Sequence, residues 1–217
     1  MTALTMSSPI LFLLLASSQN PVVIDRIAVI VGKHAIKISD IVEDLRVTEF
    51  LNRAPLDLSP AAKRKSAERL IDQEIIRQEI VTGGYRRPSE AEGQAFEKQL
   101  ENDRFHGSAP QMRQALAKYG LTDEQLREEL LWQLTVLRFI DQRFRAGVLV
   151  TDEEVKSYYD QHQAALRAQY PQGNSLEELQ GKIRSSLEGE RINQSFNEWL
   201  EQQRKMDRIE YRQEAFE

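Results

Sequence analysis

The 217-residue sequence contains no cysteine. Disulfides, thiolate nucleophiles and cysteine metal sites are excluded, while a reducing or an oxidising compartment remains open. Only three histidines occur, His34, His106 and His162. They fall in a hairpin turn, a loop and a helix without the spacing of a ligand pair, so they read as surface residues and no metal is expected. Neither a Walker A loop nor a GxGxxG turn is present, which removes support for ATP-driven cycling or a dinucleotide fold. No cofactor is expected. A basic stripe is also missing. Twenty-nine Lys and Arg are interspersed with 34 Asp and Glu for a net charge of −5, so nothing gathers to neutralise phosphates and nucleic acid is not an expected partner.

Charge itself is absent from the first stretch of chain, where no ionisable side chain precedes Asp25. Ile10 to Ala16 reads ILFLLLA, an apolar block far shorter than the roughly 20 residues of a membrane-spanning helix, so no stable span is expected. It has the form of the apolar core of a secretory signal. The small residues Ala16, Ser17 and Ser18 suit cleavage before about Gln19, although the usual Lys or Arg ahead of the block is missing. Residues 1–19 are read as a signal peptide and 20–217 as the exported domain. An uncleaved anchor, a misassigned start codon and a buried N-terminal segment are the alternatives.

What is present points to a packed, mainly α domain. Apolar residues make up 41% and charged residues 29% of the chain, enough to bury a core in one domain or two small ones. Ile27 to Val31 is rich in β-branched residues, Ala35 to Ile38 is a second short run, and Gly32 suits the first central position of a type II′ turn between them. A lone hairpin is marginal in water, so this one needs a further strand or a helix. The stretch DRIEYR, Asp207 to Arg212, alternates Ile209 and Tyr211 with Arg208, Glu210 and Arg212. That is the pattern of a half-exposed strand, and the two ends of the chain are expected to meet in one small sheet.

Between the ends the punctuation is helical. Ser39 is expected to cap a helix to about Arg53, and Ser59 with Pro60 opens a long helix that stops at Gly83-Gly84. Ser89 with Glu92, Thr122 with Gln125, Thr151 with Glu154 and Ser175 with Glu178 each have capping-box spacing. A short helix over about Ala109 to Tyr119 ends at Gly120. From Thr122 to about Ala146, Leu126, Leu130, Leu131, Leu134, Leu137, Phe139, Ile140 and Phe144 exceed one narrow stripe, so burial on several sides is expected. The last helix, Ser175 to about Lys205, places Leu176, Leu179, Ile183 and Leu187 on one face and then shifts phase to Ile192, Phe196, Trp199 and Leu200. Asp152, Glu153 and Glu154 are read as acids facing a helix N-terminus rather than as an acid/base pair.

Several of these stretches, in this order, resemble one family. DRIAVIVGKHAIKISDIVEDL is similar to the opening of SurA-like periplasmic chaperones and their parvulin-type relatives. IDQEIIRQEI and GLTDEQLREELLWQLTVLRFI resemble the helices that follow, and SLEELQGKIRSSLEGERINQSFNEWLEQQRKMDRIEYR looks like their C-terminal helix and strand. The resemblance spans nearly all of residues 22–212. It implies a mainly α chaperone domain with a small sheet from the N-terminal hairpin and the C-terminal strand, divided into residues 20–168 and 175–217. In the family, the segment resembling VTDEEVKSYYDQHQ leads into a prolyl isomerase domain. Here a short loop, QAALRAQYPQGN, stands before Ser175, too little chain for that fold, so no isomerase activity is expected.

The function the resemblance implies is ATP-independent holding of unfolded polypeptides, outer-membrane proteins above all, in the periplasm. The groove is expected between the N-terminal helices and the long C-terminal helix. Candidate lining residues are Phe96, Leu100, Phe105, Met112, Leu116 and Tyr119 from the two less apolar middle helices, with Tyr158 and Tyr159 nearby. For each, core packing is the competing reading, since a Met or aromatic residue at helical spacing ordinarily fills a core. Two other functions stand against the chaperone: an adaptor docking on one folded envelope partner, and a degenerate prolyl isomerase.

Overall fold

The computed structural model describes residues 25–217. The expected signal segment, residues 1–19, lies outside the described residues. Strands β1 (Ile27–Val31) and β2 (His34–Lys37) form the hairpin, and helix α1 (Ile38–Asn52) follows without a loop. Gly32 takes φ +58 while Lys33 keeps a negative φ, the type II′ signature in which only the first central residue is left-handed. Strand β3 (Ile209–Tyr211) pairs antiparallel with β1, placing Val29 opposite Tyr211 and Val31 opposite Ile209. The order is β2-β1-β3. The most apolar strand is therefore central, and each end of the described chain supplies part of its cover.

Helices α2 (Pro60–Thr82), α3 (Glu90–Phe105), α4 (Ala109–Lys118), α5 (Asp123–Phe144), α6 (Asp152–Gln169) and α7 (Leu176–Met206) follow, with short 3-10 turns at Arg145–Gly147 and Gln213–Ala215. Their starts follow the sequence signals closely. Ser59 caps α2 by accepting from the Ala62 amide at 3.2 Å, with Pro60 at the first helical position. All four capping boxes form, at Ser89, Thr122, Thr151 and Ser175. Gly84 and Gly120, at φ +65 and +67, end α2 and α4 in the left-handed region that glycine reaches without strain.

The expected Ser39 cap is corrected by the structure. Helix α1 begins two residues earlier, at Ile38, and Lys37 holds the cap position. Its amide donates to Asp40 Oδ2 at 2.8 Å, while the Ser39 hydroxyl turns back to Asp25 Oδ2. The strand-to-helix junction has no room for a separate cap residue, because the amide of Ile38 still bonds to Arg26 O at 2.9 Å.

Three apolar clusters share the helices. The largest joins β1 and β2 to Ile41 and Leu45 of α1, five α2 residues including Ile71 and Ile75, Phe139 of α5, Trp199 of α7, and Phe216 from the tail. Phe139 is its aromatic centre, with ring centroids 4.9 Å from Tyr85 and 5.4 Å from Trp199. A second cluster lies among α1, α3, α4 and α5. The third is made of α6 and the first half of α7, with Val155, Leu166, Leu179 and Ile183 buried. The phase shift in the sequence of α7 marks its passage from the third cluster to the first. Helix α5 is buried on several sides at Leu126, Leu130 and Phe139, but Leu137 is 61% exposed and does not share that burial.

Helix α6 also differs from the expected loop after His162. His162 departs from helical geometry (φ −114, ψ 16), and the chain resumes the helix as far as Gln169. Leu166 explains the continuation, since it is buried against α7. Residues 170–175 make the connection from α6 to α7.

Candidate functional site

The eight residues singled out from the sequence divide into two groups. Phe96, Leu100 and Phe105 of α3, Met112 and Leu116 of α4, and Tyr119 just beyond it all belong to the second cluster. Tyr158 and Tyr159 of α6 belong to the third. Within the first group, Met112 and Leu116 are 3% and 1% exposed and serve the core. Phe50 stacks on Phe105 at 6.3 Å and receives the edge of Tyr119 at 5.8 Å. The Tyr119 hydroxyl donates to Ala54 O at 2.9 Å, which ties the aromatic layer to the end of α1. Phe96 and Leu100 remain half-exposed and line a cleft. Tyr159 donates its hydroxyl to Asn174 O at 2.9 Å, and Tyr158 stacks on His162 at 4.1 Å.

Two clefts lie beside α1 and α5. One, of about 450 Å³, is lined by Thr48, Leu51 and Asn52 of α1, Phe96, Leu100 and Arg104 of α3, and Glu129, Leu130 and Gln133 of α5. The other, of about 470 Å³, runs from β2 across Asp40, Glu43, Asp44 and Val47 of α1 to Glu74 and Arg77 of α2 and to Glu128, Glu129 and Trp132 of α5. Glu129 lines both. Successive turns of α1, at positions 40, 43, 44, 47, 48 and 51, line them in turn, as one helix face must. Neither cleft is lined by α7, where the groove is expected from the sequence. The apolar faces of α7 are already occupied, first by α6 and then by the sheet-bearing cluster.

The clefts are amphipathic. Trp132 is half-buried at the wall and carries the Arg77 guanidinium 4.7 Å above its ring, a cation–π contact. Burial holds the Glu129 carboxyl above the ordinary range, against the opposing hydrogen bond from Gln133 Nε2 at 2.9 Å. Glu74 is 6% exposed and is held by Gln78 at 3.0 Å and by Arg77 at 3.4 Å, with His34 Nε2 at 3.8 Å. Asp44 is paired with Arg69 and accepts from the Ser66 hydroxyl at 2.6 Å. Among the described residues, no group of His, Asp and Glu is arranged to hold a metal ion. None of their helices is long and apolar enough to cross a membrane. The sequence misses this charged half of the site, because acids at helical spacing read as a solvated face; Trp132 beside Glu128 and Glu129 is the one available signal.

Comparison with known proteins gives one point of reference. The chain is 28% identical over 162 residues to chaperone SurA of Chromobacterium violaceum. The match takes in 72% of this chain and 37% of that protein, so the chain spans a little over a third of the length of the relative it matches. No protein-family model matches the sequence.

Proposed function

We propose that the protein is an ATP-independent chaperone that holds unfolded polypeptides in the periplasm, with outer-membrane or secreted proteins as its clients. The observation that carries this reading is the similarity to chaperone SurA over most of the chain. The clefts beside α5 support it, because both combine apolar wall with charge and both stand open at the surface. Held contacts of modest affinity delay aggregation and still allow release, which suits a compartment without nucleotide. Phe96 and Leu100 are the proposed client contacts in the cleft of α1, α3 and α5, with Tyr158 and Tyr159 as a second patch. Residues 1–19 are proposed as the export signal and 20–217 as the working domain. The reading includes no prolyl isomerase step: α6 passes to α7 through residues 170–175 alone.

The test is aggregation of an unfolded outer-membrane protein diluted from denaturant, followed by light scattering, with the chain begun at residue 20. Suppression at a few-fold excess, shared by unrelated unfolded proteins, is the expected result. Indifference to unfolded chains combined with capture of one folded envelope protein would replace the chaperone with an adaptor.

A further inference from the structure

The outer edge of β2 opens onto the larger cleft. In the two-residue hairpin, Val31 and His34 are paired next to the turn, and Val29 pairs with Ile36. His34 and Ile36 thus direct their main-chain groups toward β1, and the intervening Ala35 directs its N–H and C=O outward. The neighbouring outward amide, that of Lys37, is taken by Asp40 at 2.8 Å. Ala35 lines the cleft, and among the described residues no strand covers it, since β2 ends the sheet order. An open strand edge is a template for an added strand.

The charge of the walls selects what could be added. Together the two clefts are lined by seven carboxylates and three Lys or Arg. Among the described residues no cation lies within ion-pair distance of Glu43, Glu128 or Glu129, and Glu129 has the neutral Gln133 as its hydrogen-bond partner. Glu74, withdrawn from solvent, meets the Arg77 guanidinium only at 3.4 Å, and the His34 imidazole stands at 3.8 Å. Arg77 over Trp132 shows that this wall accepts a guanidinium on its aromatic face. Asp40 to Asn52, the α1 face along both clefts, extends about 18 Å at 1.5 Å per residue, the reach of about six residues of extended chain.

We propose that the α1–α5 groove takes an extended polypeptide segment bearing Lys or Arg, laid beside Ala35 of β2, with its cations on Glu43, Glu128 and Glu129 and an apolar or guanidinium side chain on Trp132. The proposal rests on the chaperone reading and names the kind of segment that reading leaves open. Main-chain bonds at Ala35 fix the direction of the segment, and the carboxylates choose its charge.

The test uses the full chain and two fluorescent ten-residue peptides of equal apolar content, one alternating Lys with Val and Phe, the other Glu with the same residues. Anisotropy is expected to show the Lys peptide bound about tenfold or more tightly, with the preference fading as salt rises. The double variant Glu43→Lys/Glu128→Lys should lose that preference. Glu190→Lys/Glu201→Lys on α7, the same change in net charge away from the groove, should keep it. N-methylation of alternate peptide amides should weaken binding without altering charge. Equal binding of the two peptides, or equal loss in both double variants, would overturn the proposal. Aggregation suppression of a neutral unfolded client, measured beside it, separates the outcomes: if it persists while the Lys preference is absent, the groove assignment falls and the chaperone reading stands.

Discussion

Glu92 carries three tasks at once. It completes the capping box of α3 with Ser89, binds Arg138 of α5, and so fastens the start of one helix to the side of another. The Arg138 guanidinium, and after it the Ser89 amide and hydroxyl, pull its carboxyl down to about 2. A depressed acid pKa contributes stability that is complete above the unfolded value near 4.5 and is lost as pH falls toward 2. Because Glu92 is exposed, solvent screening keeps the effect small. NMR titration of the side-chain carboxyl should show Glu92 still ionised at pH 3, and Arg138→Gln should return its midpoint toward 4.5. A midpoint near 4.5 in the unaltered protein would mean that the Arg138 pairing is not populated in solution.

The elements show where a packed position and a polar position of the same strand differ in weight. β3 and the tail contribute Phe216, 1% exposed among β1 and α2, and Tyr211, whose hydroxyl reaches Glu68 at 2.8 Å from a half-open position. Phe216→Ala removes a fully buried ring and is expected to cost about 3–5 kcal/mol in urea unfolding. Tyr211→Phe removes one exposed hydrogen bond and is expected to cost about 1 kcal/mol or less. Deleting residues 207–217 adds to the loss of Phe216 a bare edge on β1, so the thermal midpoint should drop further than in either variant. Unchanged unfolding in that truncation would remove the shared sheet from the account of stability. The alternation of DRIEYR made β3 legible in the sequence, as capping pairs did for four helices. Phe216 was not legible: nothing in RQEAFE has a periodicity, and its burial depends on the last strand delivering it to the core. Ser39 misled because a Ser beside an apolar run has the same local appearance whether it caps a helix or sits within its first turn. The candidate contacts were half legible for a similar reason. Helical spacing placed Phe96, Leu100, Met112 and Leu116 on inward faces, but spacing alone does not separate the half-exposed rim from the sealed interior.

At the scale of the molecule, the three clusters do not hold one another equally. The sheet-bearing cluster draws on both ends of the described chain and on α1, α2, α5 and α7, whereas the third is built entirely from residues 148–187. Helix α6 therefore depends on α7 for its apolar cover, and on two arginines that reach back to its approach. Arg184 donates to Val150 O and pairs with Asp152; Arg191 donates to Leu149 O and pairs with Glu154. Opening α6 away from α7 exposes one small cluster and leaves the sheet intact, while exposing Val29 or Val31 requires the sheet-bearing core to come apart. Hydrogen exchange should consequently find amides of α6 beyond Val155 protected by a smaller free energy than those of Val29 and Val31. Arg191→Ala should lower the α6 protection further with β1 unchanged, because the clamp belongs to the arm alone. Equal protection in α6 and β1, falling together in Arg191→Ala, would show that the molecule opens as one cooperative unit, and the arm of α6 and α7 would then have no independent motion to serve the client contact proposed at Tyr158 and Tyr159.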